Sequence, residues 1–316
     1  TGDDFFLWNY LMAFVGPVGP EKVYDFLAKQ VTNVDGSIDL IQKLLKSADR
    51  FNALKQPELS DWWNDQRIVD LLDALRRLGA TATYPVLMKG VEVFGSDKKQ
   101  FGLFLETLLI FYFRSRTICK TTATKIRRVM DILCKELRDN ISITVPEIRT
   151  ELFKMPEYRN DTDFNFFFGK FTTNSQNAPY ILVKLNEEMS GGPARMTLTA
   201  SGWHITVEHI MPKKIKGTEW DDYFKDGLGL VNETERNDYH KNNLNKIGNL
   251  TLLNTKSNSA ASNLPYSEKL EKIYKKDNAK ITTHLDNWHE WNEESIDARQ
   301  AILANHAKKI WSFDLN

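Results

Sequence analysis

The sequence predicts a mainly α protein in two parts: a helical N-terminal domain over residues 1–190, then an α+β domain over residues 191–316. Three observations predict it. The length, 316 residues, suits about two domains at roughly 100–200 residues each. Apolar residues recur at helical spacing in one segment after another up to residue 190. The string Ser190-Gly191-Gly192-Pro193 then interrupts the pattern, and two short alternating runs follow it.

In chain order, Phe6 to Phe14 is densely apolar, and Pro20 opens a stretch with Val23, Phe26 and Leu27 at helical spacing. Asp35-Gly36-Ser37 reads as a turn and N-cap ahead of Ile38, Ile41, Leu44 and Leu45. A third helix is expected from Ser60 through Trp62, Ile68, Leu71, Leu72 and Leu75, with Gly79 as its stop. Further helices are expected over Tyr84 to Phe94, Lys99 to Phe113 and Thr122 to Leu137, and Pro146 starts a shorter one. After the break, Trp203 to His209 and Asn249 to Leu253 read as strands, joined by a polar connection with a short helix near Trp220 to Phe224. The order is strand, long loop, strand, helix.

Composition excludes several classes. The 42 Lys plus Arg balance 42 Asp plus Glu, so the chain is neither a polycationic nucleic-acid arm nor an acidic disordered one, and 41% hydrophobic residues can fill a sizeable core. Any polyanion must be met by a local arrangement of charge. Cys119 and Cys134 form no CxxC pair or disulfide framework, which fits reduced buried thiols in the cytoplasm. No run reaches the ~18–20 apolar residues of a membrane span. The chain opens at Thr1-Gly2-Asp3-Asp4, as a processed chain or an excised fragment would.

Two features carry candidate chemistry. Between Glu106 and Asp131 there is no acidic residue, while Arg114, Arg116, Lys120, Lys125, Arg127 and Arg128 all fall there. This is either a solvated face or a surface for phosphate backbone. The second is Glu208-His209-Ile210-Met211-Pro212 at a strand end, where a carboxylate and a histidine side by side can serve one metal and one nucleophile. Adjacent strand side chains point to opposite faces, so their convergence calls for a twist or bulge, and Pro212 ends the strand. Eight asparagines follow between Asn237 and Asn263. Most suit caps and turns. Asn249, opening the second strand, is placed to orient the His209 ring, and Asn258, on the next helix, to offer an amide oxygen to a hard cation. His240, beside Lys241, is either an exposed loop histidine or a phosphate contact. His204 reads as packing, and His284, His289 and His306 are assigned no chemistry.

The combination Glu208-His209-Ile-x-Pro, Asn249 and Asn258 resembles the ββα-metal, or HNH, nucleases. The string Gly248-Asn249-Leu250-Thr251-Leu252-Leu253, with Ser262-Asn263 and Lys269 following, is similar to the nuclease half of GmrSD-type modification-dependent restriction enzymes, a group that includes the phosphorothioate-sensing SspE nucleases. The resemblance is sharp from Trp203 to Lys269 and looser over the helical half. It implies an HNH-like motif in the α+β domain, with Glu208 and Asn258 as metal ligands and His209 as the general base oriented by Asn249. Mg²⁺ or Mn²⁺ is the implied cofactor, without any organic cofactor, because Asn258 stands where other members have His. It further implies DNA as the substrate and partner, cleaved to a 5′-phosphate and a 3′-hydroxyl in bacterial antiviral defence. Lys269, His240, Arg114, Arg116, Arg127 and Arg128 are the DNA-contact candidates. Relatives carry a preceding nucleotide-hydrolysing, modification-sensing domain, for which no Gly-rich phosphate loop is found here, so such a domain is expected as a separate part or partner. A catalytically inactive DNA-binding scaffold and an RNA-directed HNH nuclease are the alternatives.

Overall fold

The computed structural model describes residues 2–31, 33–192, 198–199, 202–203 and 205–313; Pro193 and His204 lie outside the described residues. The chain forms two compact units, residues 1–160 with 313–316, and residues 161–312.

The first unit is helical: α1 (Gly2–Phe14), α2 (Val23–Gln30), α3 (Val34–Lys55), α4 (Gln66–Arg77), α5 (Tyr84–Phe94), α6 (Lys98–Tyr112), α7 (Ala123–Asp139) and α8 (Val145–Lys154). Short polar side chains set the starts. Asp97 caps α6 and Thr122 caps α7, while Thr144 and Glu147 form a reciprocal capping box on α8. Two starts differ from expectation. Asn33, not Asp35-Gly36-Ser37, caps α3, taking the Gly36 N–H at 2.8 Å, so those three residues lie inside the helix. Residues 60–64 precede α4, whose cap is Asp65; its carboxylate satisfies the exposed first-turn N–H groups that Ser60 stands too far away to reach. The core is aromatic, with Phe101, Phe104, Phe111 and Phe113 fully buried. Gly90 lets α5 approach α6, since a Cβ there would lie 2.2 Å from the Phe104 ring.

The second unit holds α9 (Asp161–Phe168), α10 (Ala178–Met189), the two-residue strands β1 (Leu198–Thr199) and β2 (Gly202–Trp203), β3 (Ile205–His209), α11 (Glu219–Asp222), α12 (Glu233–Leu244), β4 (Leu250–Asn254), α13 (Thr255–Ala261), α14 (Tyr266–Lys272), α15 (Lys280–Thr283) and α16 (Glu293–Ile310). The unit therefore starts earlier than the glycine break. The reason is packing: α9 lies on α16, and α10 lies on β4, α15 and α16, so their apolar faces are completed by this unit's core. β1 pairs with β2, and β3 pairs antiparallel with β4 in the register Thr206↔Leu253, Glu208↔Thr251, His209↔Leu250. Strand, long connection, strand and helix occur in the expected order. A core of Ile210, Met211, Trp220, Phe224, Leu253, Tyr266, Tyr274 and Trp291 holds the hairpin against the helices.

α16 anchors the entry to β4. The fully buried Arg299 donates to the carbonyls of Gly248 (2.6 Å), Leu250 (2.8 Å) and Ile281 (2.9 Å), and burial holds its pKa down to about 10. Gln300 accepts from the Gly248 N–H at 2.9 Å. Only glycine fits position 248, because a Cβ would lie 2.1 Å from the Ile296 carbonyl oxygen. The Gly-Asn-Leu string thus begins with a packing requirement.

Candidate active site

The hairpin, the turn after β3 and helices α12, α13 and α14 bring the candidate residues into one unit. Glu208 and His209 sit in adjacent pairs of the β3–β4 ladder, which runs without a bulge to its end. Their environments differ as strand alternation demands.

Glu208 is turned inward and is 4% exposed. Its Oε1 accepts from Lys269 Nζ at 2.7 Å and from the Tyr274 hydroxyl at 3.0 Å. Lys269, fully buried, also donates to the carbonyls of His209 (3.1 Å) and Ile210 (3.0 Å). All three ammonium protons are thereby used. Burial pushes the Glu208 pKa up and the Lys269 pKa down, and the attraction between them opposes both shifts. Lys269 therefore does not reach the surface as a DNA contact. Its length and charge are spent inside the protein, on Glu208 and on the chain leaving β3. Its helical neighbours Lys272 and Lys275 pair with Glu268 and Glu271 on the solvated face.

His209 Nε2 lies 3.3 Å from Asn245 Oδ1. As Asn Oδ1 is an acceptor, this contact selects the Nε2–H tautomer and leaves Nδ1 with the lone pair. Burial lowers the His209 pKa to about 4. The Asn245 bond opposes this, while the neighbouring Lys213, Lys269 and His240 lower it further. The ring is neutral at neutral pH.

Asn249 does not orient that ring. It is fully buried, and its Oδ1 accepts from Met211 N (2.8 Å) and Trp291 Nε1 (2.9 Å) while its Nδ2 donates to Met211 O (3.2 Å) and Leu244 O (3.0 Å). Those four bonds exhaust the amide. Its backbone carbonyl also accepts from Ile210 N at 3.0 Å. Asn249 fixes the turn that carries the chain out of β3. The ring partner is Asn245, one of the eight asparagines that sequence spacing did not separate from caps. Tyr274 had no sequence signal, and Lys213 was marked only by following Pro212.

Asn258, on α13, donates from Nδ2 to Thr206 Oγ1 (2.6 Å) and to the Val207 carbonyl (3.2 Å). Both of those bonds use the amide nitrogen, so Oδ1 is the atom left for a ligand. Thr206 and Glu208 are alternate residues on β3 and share a face. A carboxylate and an amide oxygen are donors a hard cation accepts, but the Glu208 carboxylate is already held by Lys269 and Tyr274. Among the described residues, no group of three or more His, Cys, Asp or Glu could hold a metal. Nitrogen- and sulfur-rich zinc geometry therefore has no counterpart there. His240 Nε2 lies 2.8 Å from the Pro212 carbonyl, which ties α12 to the turn after β3.

In the first unit, the basic stretch divides. Arg114 is 1% exposed and donates from Nε to the Arg159 carbonyl at 2.9 Å, within a π-helical turn over Phe113–Ile118. It is a structural cation, because a guanidinium buried to 1% exposure and held on a backbone carbonyl cannot also reach a phosphate. Arg116 is half-buried and donates to Thr121 O. Arg127 and Arg128 are exposed on α7, Arg127 lying over the Trp8 ring. Among the described residues, no helix is long and apolar enough to cross a membrane.

No curated protein matches the chain. Residues 158–306 match the family model described as GmrSD restriction endonucleases, C-terminal domain, a span that starts close to the beginning of the second unit and contains every residue of the site in that unit. Over these residues, the chain is similar to the C-terminal domain of the GmrSD-type restriction endonucleases.

Proposed function

We propose that the chain is a Mg²⁺- or Mn²⁺-dependent DNA endonuclease with an HNH-like centre, the cleaving part of a bacterial restriction system that works in the cytoplasm. The observation that carries this reading is the neutral His209 at the end of β3, held in one tautomer by Asn245 within the matched domain, while the preceding Glu208 faces the other side of the strand. His209 Nδ1 accepts the proton of the attacking water; a general base placed in this way typically contributes about 10²–10⁴-fold. Asn245 holds the ring so that this nitrogen stays unprotonated. Glu208 and Asn258 would hold the cation, which when bound supplies charge neutralisation at the phosphate and the leaving oxygen. Asn249, Arg299 and Lys269 fix the backbone on which these groups stand. Arg127 and Arg128, with Arg116, form the phosphate-contact face, and His240 braces the turn after β3 beside the site.

The test is nicking or linearisation of supercoiled plasmid by the full chain with Mg²⁺ or Mn²⁺. His209→Ala should lose about 10²–10⁴-fold in rate; wild-type cleavage by that variant, or undiminished cleavage in EDTA, would overturn the reading. A parallel assay on single-stranded RNA settles the sugar, and one on modified against unmodified DNA reads any selectivity this chain has without a sensing partner.

A further inference from the structure

We propose that the first unit carries a cleft for an unpaired nucleic-acid strand, which stacks one base against Trp62 and lays its phosphates along Lys46 and Arg50 of α3. This goes beyond the nuclease reading, because every residue of the cleft lies in the first unit and none takes part in the cleavage chemistry.

Two hollows meet on this unit. The smaller, about 300 Å³, is walled by Trp62, Trp63, Ile68 and Phe101. The larger, about 550 Å³, has Tyr10, Phe14 and Phe26 on its apolar side. Arg50 and Glu92 line both, so the two adjoin as one cleft. Trp63 is fixed in place: it is 5% exposed, its Nε1 donates to the Ala53 carbonyl at 2.9 Å, and its ring stacks on Phe101 at 5.3 Å and 11°. Trp62 lies against it, with ring centroids 4.8 Å apart, yet is 47% exposed. An indole braced by a buried neighbour and open to solvent is a stacking platform, and every base has a π-face to offer it.

The charges of the cleft suit a chain of phosphates. Lys43 pairs with Asp39 and Lys89 with Glu92, each at 2.6 Å. Lys46 and Arg50 line the same cleft without a carboxylate partner among the described residues, and leave it net positive. They stand one helical turn apart on α3, about 6 Å, and the Arg50 guanidinium is 5.9 Å from the centre of the Trp62 ring. A base on that indole therefore brings its own phosphate to Arg50 and the neighbouring one to Lys46. Glu58, Asp61 and Asp65 line a separate hollow, away from this one. A duplex keeps its base faces stacked inside and offers the cleft only phosphates, which would leave the aromatic hollow unused. An unpaired strand offers both chemistries together.

The experiment measures binding of fluorescent octamers to the full chain by anisotropy, in EDTA so that the strand stays whole. One octamer carries thymine at every sugar, and the other has the same backbone without bases. The wild-type chain should bind the thymidine octamer at least about fivefold more tightly than the abasic one. Trp62→Ala should lose about 5–150-fold on the thymidine octamer, Trp62→Phe should keep most of the affinity, and neither should change binding of a short duplex. Lys46→Gln with Arg50→Gln should reduce the salt slope for the octamer by about 1.4. The wild-type comparison of the two octamers stands even if a variant fails to fold. Equal affinity for both octamers overturns the proposal. So does a folded Trp62→Ala variant that binds the thymidine octamer as wild type does, or that loses duplex affinity by the same factor. Thymidine monophosphate that binds as tightly as the octamer and displaces it would assign the hollow to a free nucleotide and overturn the strand.

Discussion

Replacing Asn249 by alanine separates an architectural asparagine from a catalytic one. The side chain is fully buried and makes four hydrogen bonds of 2.8–3.2 Å. Alanine orphans two buried donors, Met211 N–H and Trp291 Nε1–H, and deprives the Met211 and Leu244 carbonyls of a donor. At about 1–3 kcal/mol for each buried group left unsatisfied, the two donors alone cost about 2–6 kcal/mol. That is a large fraction of the roughly 5–15 kcal/mol that stabilises a typical domain. Urea unfolding followed by tryptophan fluorescence should therefore show a strongly lowered midpoint. Any loss of cleavage should track the folded fraction. Asparagine-to-aspartate keeps Oδ1 but removes the Nδ2 donor, and should be destabilising as well. A folded Asn249→Ala protein with wild-type stability and abolished cleavage would refute the structural assignment and return Asn249 to the His209 ring.

Four further outcomes follow from the same geometry. Asn245→Ala, at an exposed position, should leave stability within about 0.5 kcal/mol but lower kcat about tenfold with KM unchanged; because the Asn245 bond raises the His209 pKa, its loss should also move the acid limb of the pH–rate profile downward. In the free enzyme kcat/KM should be flat through neutrality and fall only as pH approaches about 4, where His209 protonates. The same depressed pKa means the folded state resists a proton that the unfolded chain accepts below about 6.5, so stability is fully present above that pH and declines toward pH 4; the difference between urea midpoints at pH 7 and pH 5 should shrink in His209→Ala. Arg127→Glu with Arg128→Glu should weaken duplex binding and reduce the salt slope by about 2 without lowering the thermal midpoint, whereas Arg114→Ala should lower the midpoint while leaving the salt slope in place.

Periodicity and capping chemistry are local, and they were legible. The helices of the first unit and the order of strand, connection, strand and helix follow from residues close in sequence. Helix starts slipped where two cap-forming residues competed, as at Asn33 against Asp35. The compact unit starts at Asp161 because α9 and α10 complete their burial against α16 and β4, partners distant in sequence.

The roles of the individual side chains were decided only in three dimensions. Sequence alone marked Lys269 and Arg114 as cations, and a cation reads as a surface contact until burial is known; packing turned the first onto Glu208 and the second onto the Arg159 carbonyl. Sequence alone likewise offered eight asparagines without ranking them. The fold exhausted Asn249 on Met211, Leu244 and Trp291, and left Asn245 facing His209. Residue type fixes what a group can donate, accept or ionise. Which partner it meets, and whether water remains to compete, depends on chain segments that approach one another only in the folded protein.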